Sequence, residues 1–75
     1  MKENIKKLWD AWEAADKRYF EDEDNEDARI AMEETENELA SEIRLIFAQD
    51  LRGMKTMLHC KKKEVKAKLE NEVDK

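Results

Sequence analysis

The residues that decide the fold form one stretch at positions 27–73, DARIAMEETENELASEIRLIFAQDLRGMKTMLHCKKKEVKAKLENEV. It contains no proline and a single glycine, Gly53. Its apolar residues recur at steps of three and four, which places them on one stripe of a helix whose other faces are mostly charged. These residues are Ala28, Met32, Leu39, Ile43, Ile46, Phe47, Leu51, Met54, Leu58, Val65, Leu69 and Val73. The pattern predicts one amphipathic helix of roughly 45 residues, about 68 Å long.

Gly53 leaves one alternative open. Glycine often ends a helix because it adopts the left-handed conformation without a Cβ penalty, and Thr56 could then cap a further helix. The result would be a three-helix bundle broken at 52–56. However, the basic residues that follow Thr56 would oppose the dipole of a new helix. Since a glycine inside a helix costs only about 1 kcal/mol relative to alanine, the sequence favours one continuous helix.

A shorter helix precedes this stretch, at about residues 2–20, where apolar residues again recur at steps of three and four. Six polar residues at 21–26 predict a turn, with Asp24 or Asn25 as the cap of the next helix. The predicted fold is therefore all-α, a helical hairpin within one small domain at 1–75. Trp9 and Trp12 share a face of the first helix, so we expect them to pack against the second helix. Alternatively, they form an exposed aromatic anchor for another protein.

Charge is strongly segregated along the chain, which has a formal net charge of -5. Residues 21–42 contain eleven acidic and one basic side chain, whereas residues 52–68 contain seven basic and one acidic side chain. Two long helices laid antiparallel would bring each acidic half against a basic half. We therefore expect a homodimer in a four-helix arrangement. Its predicted core is Ile43, Ile46, Phe47, Leu51 and Met54.

Composition excludes several classes of protein. Cys60 is the only cysteine among 75 residues, so an internal disulfide is impossible, and a reducing cytoplasm is the expected location. We expect no signal peptide, because residues 1–12 are amphipathic and lack an apolar central run, and no apolar run reaches membrane-spanning length. His59 is the only histidine, and there is no second histidine or cysteine to complete a zinc site. No metal, cofactor or catalytic residue is predicted.

One half-motif suggests metal chemistry. All-helical nucleotide pyrophosphatases hold magnesium with a Glu-X-X-Glu pair and a Glu-X-X-Asp pair, and the pair formed by Glu33 and Glu36 resembles the first of these. The second pair does not follow in the later helix. A metal-dependent helical hydrolase is therefore the third-ranked interpretation. The plain interpretation is that the glutamates of this segment form the solvated face of a helix: Glu33, Glu34, Glu36, Glu38 and Glu42.

The first-ranked function is a non-enzymatic interaction protein, an adaptor, regulator or inhibitor, that binds another protein through its helical surface. Its small size and high charge resemble those of many regulators found on phages and plasmids. The predicted contacts are Trp9, Trp12, Glu33, Glu34 and Glu38, and in one version the acidic face mimics a nucleic acid. The second-ranked function is nucleic-acid binding through a basic cluster, Lys61, Lys62 and Lys63. No aromatic residue lies among these lysines to stack on bases.

Overall fold

A computed structural model of the chain describes residues 2–71, which form four α-helices and contain no strand. The helices are α1 Glu3–Glu21, α2 Glu26–Ile43, α3 Leu51–Cys60 and α4 Lys62–Asn71. The all-α class is confirmed, but the two-helix hairpin is not observed. The longest dimension of the molecule is 41 Å, which is too short for the 68 Å helix that the apolar stripe predicts.

The first helix and the turn lie close to their predicted positions. At the end of α1, Asp22 donates its backbone N–H to the carbonyls of Arg18 and Tyr19, at 3.1 and 3.2 Å. The next helix is capped by Asn25, whose side-chain oxygen accepts from the N–H of Ala28 at 3.1 Å. An asparagine at this position satisfies one of the free N–H groups of the first turn. The acidic residues that follow it suit the positive end of the helix dipole.

The predicted long helix is wrong because the chain leaves the helical path at residues 44–50. Ala48 has a φ of 53°, in the left-handed region. Its N–H donates to the carbonyl of Leu45 at 3.2 Å, and the N–H of Gln49 donates to the carbonyl of Arg44 at 2.9 Å. These two bonds define a Schellman motif, the usual glycine-based helix end. Here an alanine occupies the position that normally favours glycine, so the break has no glycine to mark it.

The alternative break at 52–56 is also wrong, because those residues lie inside α3. Asp50 is the N-cap of α3 and accepts the N–H of Gly53 at 2.7 Å. Gly53 therefore belongs to the first turn of α3 and has a negative φ. The helix ends at Lys61, whose backbone leaves the helical region at φ -131° and ψ 39°, and α4 begins at the next residue.

The core lies between α1, α2 and the inner faces of α3 and α4. It is formed by Ile5, Trp9, Trp12, Leu39, Ala40, Ile43, Met54, Leu58, Val65 and Leu69. The two indole rings meet edge to face with their centroids 5.2 Å apart, a favourable geometry for an aromatic pair. On the side of α4, Lys62 lies 5.0 Å from the centroid of Trp12 and 3.3 Å from the carboxylate of Glu13. This lysine thus ties α4 to α1 over the tryptophans.

The stripe itself is confirmed as the buried face over most of its length, even though the helix is broken. Ile46 and Phe47 are half-buried and Leu51 is exposed, all three at the break. Val73 lies outside the described residues. Within residues 2–71, no helix has both the length and the apolar content needed to traverse a lipid bilayer.

Candidate functional site in the cleft between α2 and α3

A buried carboxylate faces a histidine where α3 packs on α2. Glu36 is only 6% exposed, so the prediction that it lies on the solvated face is wrong. It comes four residues after Met32 and three before Leu39, both buried, and this spacing places it on the inner stripe of α2. From α3, His59 places its Nε2 2.9 Å from Oε1 of Glu36. The histidine side chain remains half exposed.

The break at 44–50 is what brings these two residues together. They are separated by 23 positions, which would place them about 35 Å apart on a continuous helix. The Schellman turn and the Asp50 cap instead fold α3 back along α2. The contact between Glu36 and His59 is thus a consequence of the feature that the apolar periodicity failed to reveal.

The pair lies in an open cleft of about 430 Å³ between the two helices. The lining residues are Met32, Glu33, Glu36, Asn37, Lys55 and His59. Oε1 of Glu36 is bonded to His59, but no donor among residues 2–71 reaches Oε2. Lys55, on the wall of the cleft, has no carboxylate within ion-pair distance in the described part of the chain. Among the described residues, the fully buried side-chain polar atoms without a partner are Nε1 of Trp9 and Nε1 of Trp12. Oε2 of Glu36 therefore keeps contact with solvent through the open cleft.

The predicted Glu-X-X-Glu pair is divided between two environments. Glu33 is exposed and forms an ion pair with Arg29 at 3.1 Å, whereas Glu36 is buried against His59. In the described residues, no three side chains of His, Cys, Asp or Glu are arranged to hold a metal ion. The half-motif of the sequence thus corresponds to one surface ion pair and one buried hydrogen bond.

The other predicted contact residues lie in different places. Trp9 and Trp12 are in the core, each 1% exposed. They pack inside the protein as first expected, and the alternative of an exposed aromatic anchor is wrong. Glu34 and Glu38 are exposed on α2 together with Glu33. Among residues 2–71, no cation lies within ion-pair distance of Glu34 or Glu38.

The predicted dimer core does not form one surface. Ile43 and Met54 are fully buried within the monomer, so they are not available to a second chain. Ile46 is half-buried, as is Phe47, whose ring lies 5.0 Å from the ammonium group of Lys68. Only Leu51 is exposed. The expected arrangement assumed one straight helix, and the break at 44–50 turns these residues in different directions.

The basic cluster is also divided. Lys62 is engaged by Glu13 and Trp12, whereas Lys61 and Lys63 are exposed. Lysines elsewhere on α4 project on both sides of its buried stripe of Val65 and Leu69. The described lysines therefore do not form one continuous basic face of the kind that follows a phosphate backbone.

Glu36 is expected from the sequence as half of a metal-binding motif or as a solvated residue. Its burial was missed, although a signal for it was present. A glutamate in phase with Met32, Leu39 and Ile43 stands on the apolar stripe, and a charge at such a position requires a partner. Only the folded chain identifies that partner as His59. No protein-family model, curated protein or solved structure matches this chain.

Proposed function

We propose that this chain is a non-enzymatic interaction protein, an adaptor, regulator or inhibitor, that binds a basic surface of another protein through the outward face of α2. One observation carries this proposal. Asp27, Ile30, Glu34 and Glu38 recur at steps of three and four, so they form one row on the helix. We call these four residues the outer row. All four are exposed, and no cation of residues 2–71 neutralises its three carboxylates.

The outer row does not serve the stability of the helix. Glu34 and Glu38 are four residues apart, and like charges at this spacing destabilise a helix by about 0.2–0.5 kcal/mol. Asp27 is the exception, because it lies in the first turn, where the helix dipole favours an acid. A basic surface would relieve the repulsion, while Ile30, 40% exposed between the carboxylates, would add an apolar contact. Apolar residues surrounded by polar ones are typical of protein interfaces.

Binding is a better interpretation of the cleft than catalysis. In a catalytic site, His59 would be the general base and Glu36 the group that orients it. However, among residues 2–71 no hydroxyl of serine or threonine and no thiol of cysteine is bonded to His59. A nucleophile within hydrogen-bond reach of the base is the diagnostic feature of covalent catalysis. The exposed thiol of Cys60 is next to His59 in sequence, yet adjacent residues of a helix face different directions. We assign the protein to the cytoplasm, the compartment that a single free cysteine favours.

A second copy of the chain is the second candidate partner, and charge segregation between helices favours it. Within α2 there are seven acidic residues and one basic residue, whereas residues 51–71 contain seven basic and two acidic residues. An isologous dimer would place α2 of each copy against α3 and α4 of the other. This pairing uses faces that are exposed in the monomer, and it replaces the predicted dimer core of Ile43, Ile46, Phe47, Leu51 and Met54.

Nucleic-acid binding ranks below both protein partners. One lysine of the predicted cluster, Lys62, is already held by Glu13. The exposed lysines lie on two sides of α4. The acidic outer row would also repel a phosphate backbone approaching from the α2 side.

The test is affinity capture from an extract of the source cells with the full chain and two variants. The first variant, Glu34→Lys with Glu38→Lys, reverses the outer row. The matched control, Glu64→Lys with Glu70→Lys, makes the same charge change on two exposed acids of α4. We expect the wild type and the control to retain a common protein that the outer-row variant loses. Since the contact is electrostatic, retention should weaken as salt rises.

Two results would contradict the proposed function. The first is recovery of the same proteins, in the same amounts, by all three forms of the chain. The second is recovery of RNA or DNA alone, with the yield lost when Lys61 and Lys63 are replaced by glutamate. Circular dichroism of each variant establishes that the helices are retained before the capture is interpreted.

A further inference from the structure

We propose that the cleft between α2 and α3 is a receptor for a guanidinium group, the head of an arginine side chain from the bound partner. Glu36 is the anchoring residue. This assignment rests on the proposed function, which supplies a basic partner, and it names the residue type that this partner would insert. The cleft is distinct from the outer row, because its lining residues face the groove between the two helices.

The burial of Glu36 is the first reason. A carboxylate transferred from water to a protein interior requires several hydrogen bonds to compensate for lost hydration. Glu36 is more than nine-tenths buried, and His59 is the only hydrogen-bond donor that reaches it among residues 2–71. Its Oε2 is left without a donor while the residue lines an open cleft. Oε2 is not among the fully buried unpartnered atoms, so water reaches it through the cleft, and a charged donor from a ligand would replace that water.

The chemistry of the walls selects a guanidinium. This group offers five N–H donors in a planar fork, and it is more weakly hydrated than an ammonium group. Glu33 stands one turn before Glu36 on the rim of the cleft, and Asn37 adds an amide oxygen. Glu33 already accepts from Arg29 at 3.1 Å. The guanidinium would therefore donate to Oε2 of Glu36 and to the amide oxygen of Asn37. Met32 provides an apolar wall for the methylene groups of the arginine stem.

Charge in the cleft sets how strongly a cation would be held. Arg29 neutralises Glu33 at 3.1 Å, so the charges that remain on the lining are the carboxylate of Glu36, which attracts a cation, and the ammonium group of Lys55. Lys55 lines the wall without an ion-pair partner among the described residues. Its positive charge would repel a cationic ligand and weaken its binding. Removal of this charge should strengthen binding.

The experiment is a titration of the full chain with N-acetyl-arginine amide at fixed pH. Binding is monitored by the NMR chemical shifts of the His59 imidazole. The matched probe is N-acetyl-citrulline amide, which has a similar shape and no charge. We expect a saturable shift with the arginine probe and none with citrulline. Glu36→Gln should weaken the binding by about tenfold or more, because it removes the buried charge and keeps the shape. Glu42→Gln, the same change at an exposed position of α2 outside both the cleft and the outer row, should bind as the wild type does, and Lys55→Met should bind more tightly.

Three results would overturn the receptor: no saturable shift at His59, equal shifts with both probes, or unchanged binding to Glu36→Gln. The capture experiment then separates the two proposals. If Glu36→Gln captures the partner as well as the wild type while the outer-row variant does not, the receptor fails and the proposed function stands. If the arginine probe binds through Glu36 but capture is indifferent to Glu34 and Glu38, the proposed function fails and the receptor stands.

Discussion

Gln49 donates its backbone N–H to the carbonyl of Arg44 at 2.9 Å, across a turn in which Ala48 has a φ of 53°. This bond gives the turn the hydrogen-bond pattern of a glycine-ended helix, in a chain that has alanine at the critical position. An L-residue in the left-handed region carries a conformational cost of about 1–2 kcal/mol. Ala48 therefore stores strain at the point that directs α3 back onto α2.

Replacing Ala48 with glycine should stabilise the protein by about 0.5–1 kcal/mol, because the relief of strain exceeds the greater chain entropy of glycine in the unfolded state. The measurement is the midpoint of urea unfolding. As a control, Ala14→Gly places glycine at an exposed position inside α1 and should destabilise by about 1 kcal/mol. Equal destabilisation by the two changes would show that Ala48 is not strained.

The effect of Gly53→Ala on the free energy of unfolding should depend on the side chain of Gln49. Alanine favours a helical position by about 1 kcal/mol relative to glycine, but a Cβ at this position would lie 2.6 Å from Oε1 of Gln49 and 3.0 Å from the capping oxygen of Asp50. We expect a larger gain in unfolding free energy when Gln49 is also replaced by alanine. A double-mutant cycle measures the difference. Strict additivity of the two changes would argue against this contact.

Glu36→Leu should raise the stability of the monomer by about 1 kcal/mol, because an apolar side chain avoids the desolvation cost of a buried carboxylate. His59 is half exposed, so water can solvate it when its partner is removed. The same variant should no longer bind the arginine probe. Such an exchange of stability for function is expected where a binding site retains an unfavourable group. Glu38→Leu, an exposed control on the same helix, should change stability by no more than about 0.5 kcal/mol. A clear loss of stability in Glu36→Leu would mean that its contact with His59 serves the fold.

Lys62→Met should destabilise the chain by about 0.5–1.5 kcal/mol, through loss of the contact with the Trp12 ring and of the ion pair with Glu13. Lys63→Met is the control, because Lys63 is exposed and forms no ion pair with a described residue. The near-ultraviolet circular dichroism of the tryptophans should change in the first variant alone. If both variants unfold at the same urea concentration, Lys62 does not hold α4 to α1.

Light scattering tests the second copy as a partner. At low salt and micromolar concentration we expect the mass of a dimer, and at high salt that of a monomer, because the paired faces are charged and exposed. Glu34→Lys with Glu38→Lys should remain monomeric at all salt concentrations, whereas Glu64→Lys with Glu70→Lys should still dimerise. A monomer mass for the wild type at low salt would exclude self-association through α2.

The sequence predicted the buried face better than it predicted the helices. Met54, Leu58, Val65 and Leu69 are buried as the stripe requires. The break was missed because Ile46, Phe47 and Leu51 continue the three-and-four spacing straight through it. Apolar periodicity indicates which side chains face inward. It does not reveal a turn when the three-and-four spacing is the same before and after that turn.

The candidate site was missed for a related reason. Glu36 could have been detected as a charge on the apolar stripe, but its contact with His59 depends on the reversal at 44–50. Asp50 was the one local signal for that reversal, because aspartate is a preferred N-cap residue. Its side chain accepts the N–H of Gly53, three residues later. The alternative break was instead predicted at 52–56, around Gly53, which lies on the C-terminal side of this cap.

The reversal at 44–50 also couples occupancy of the cleft to local unfolding. Because Glu36 and His59 meet only when α3 lies on α2, a ligand in the cleft binds the closed form alone and must lower the population of open forms by mass action. Amide hydrogens of α3 should then exchange with solvent more slowly in the presence of the ligand, whereas those of α1 should change less. Conversely, substitutions at Ala48, which is not a lining residue of the cleft, should shift ligand affinity through the fraction of molecules that are closed.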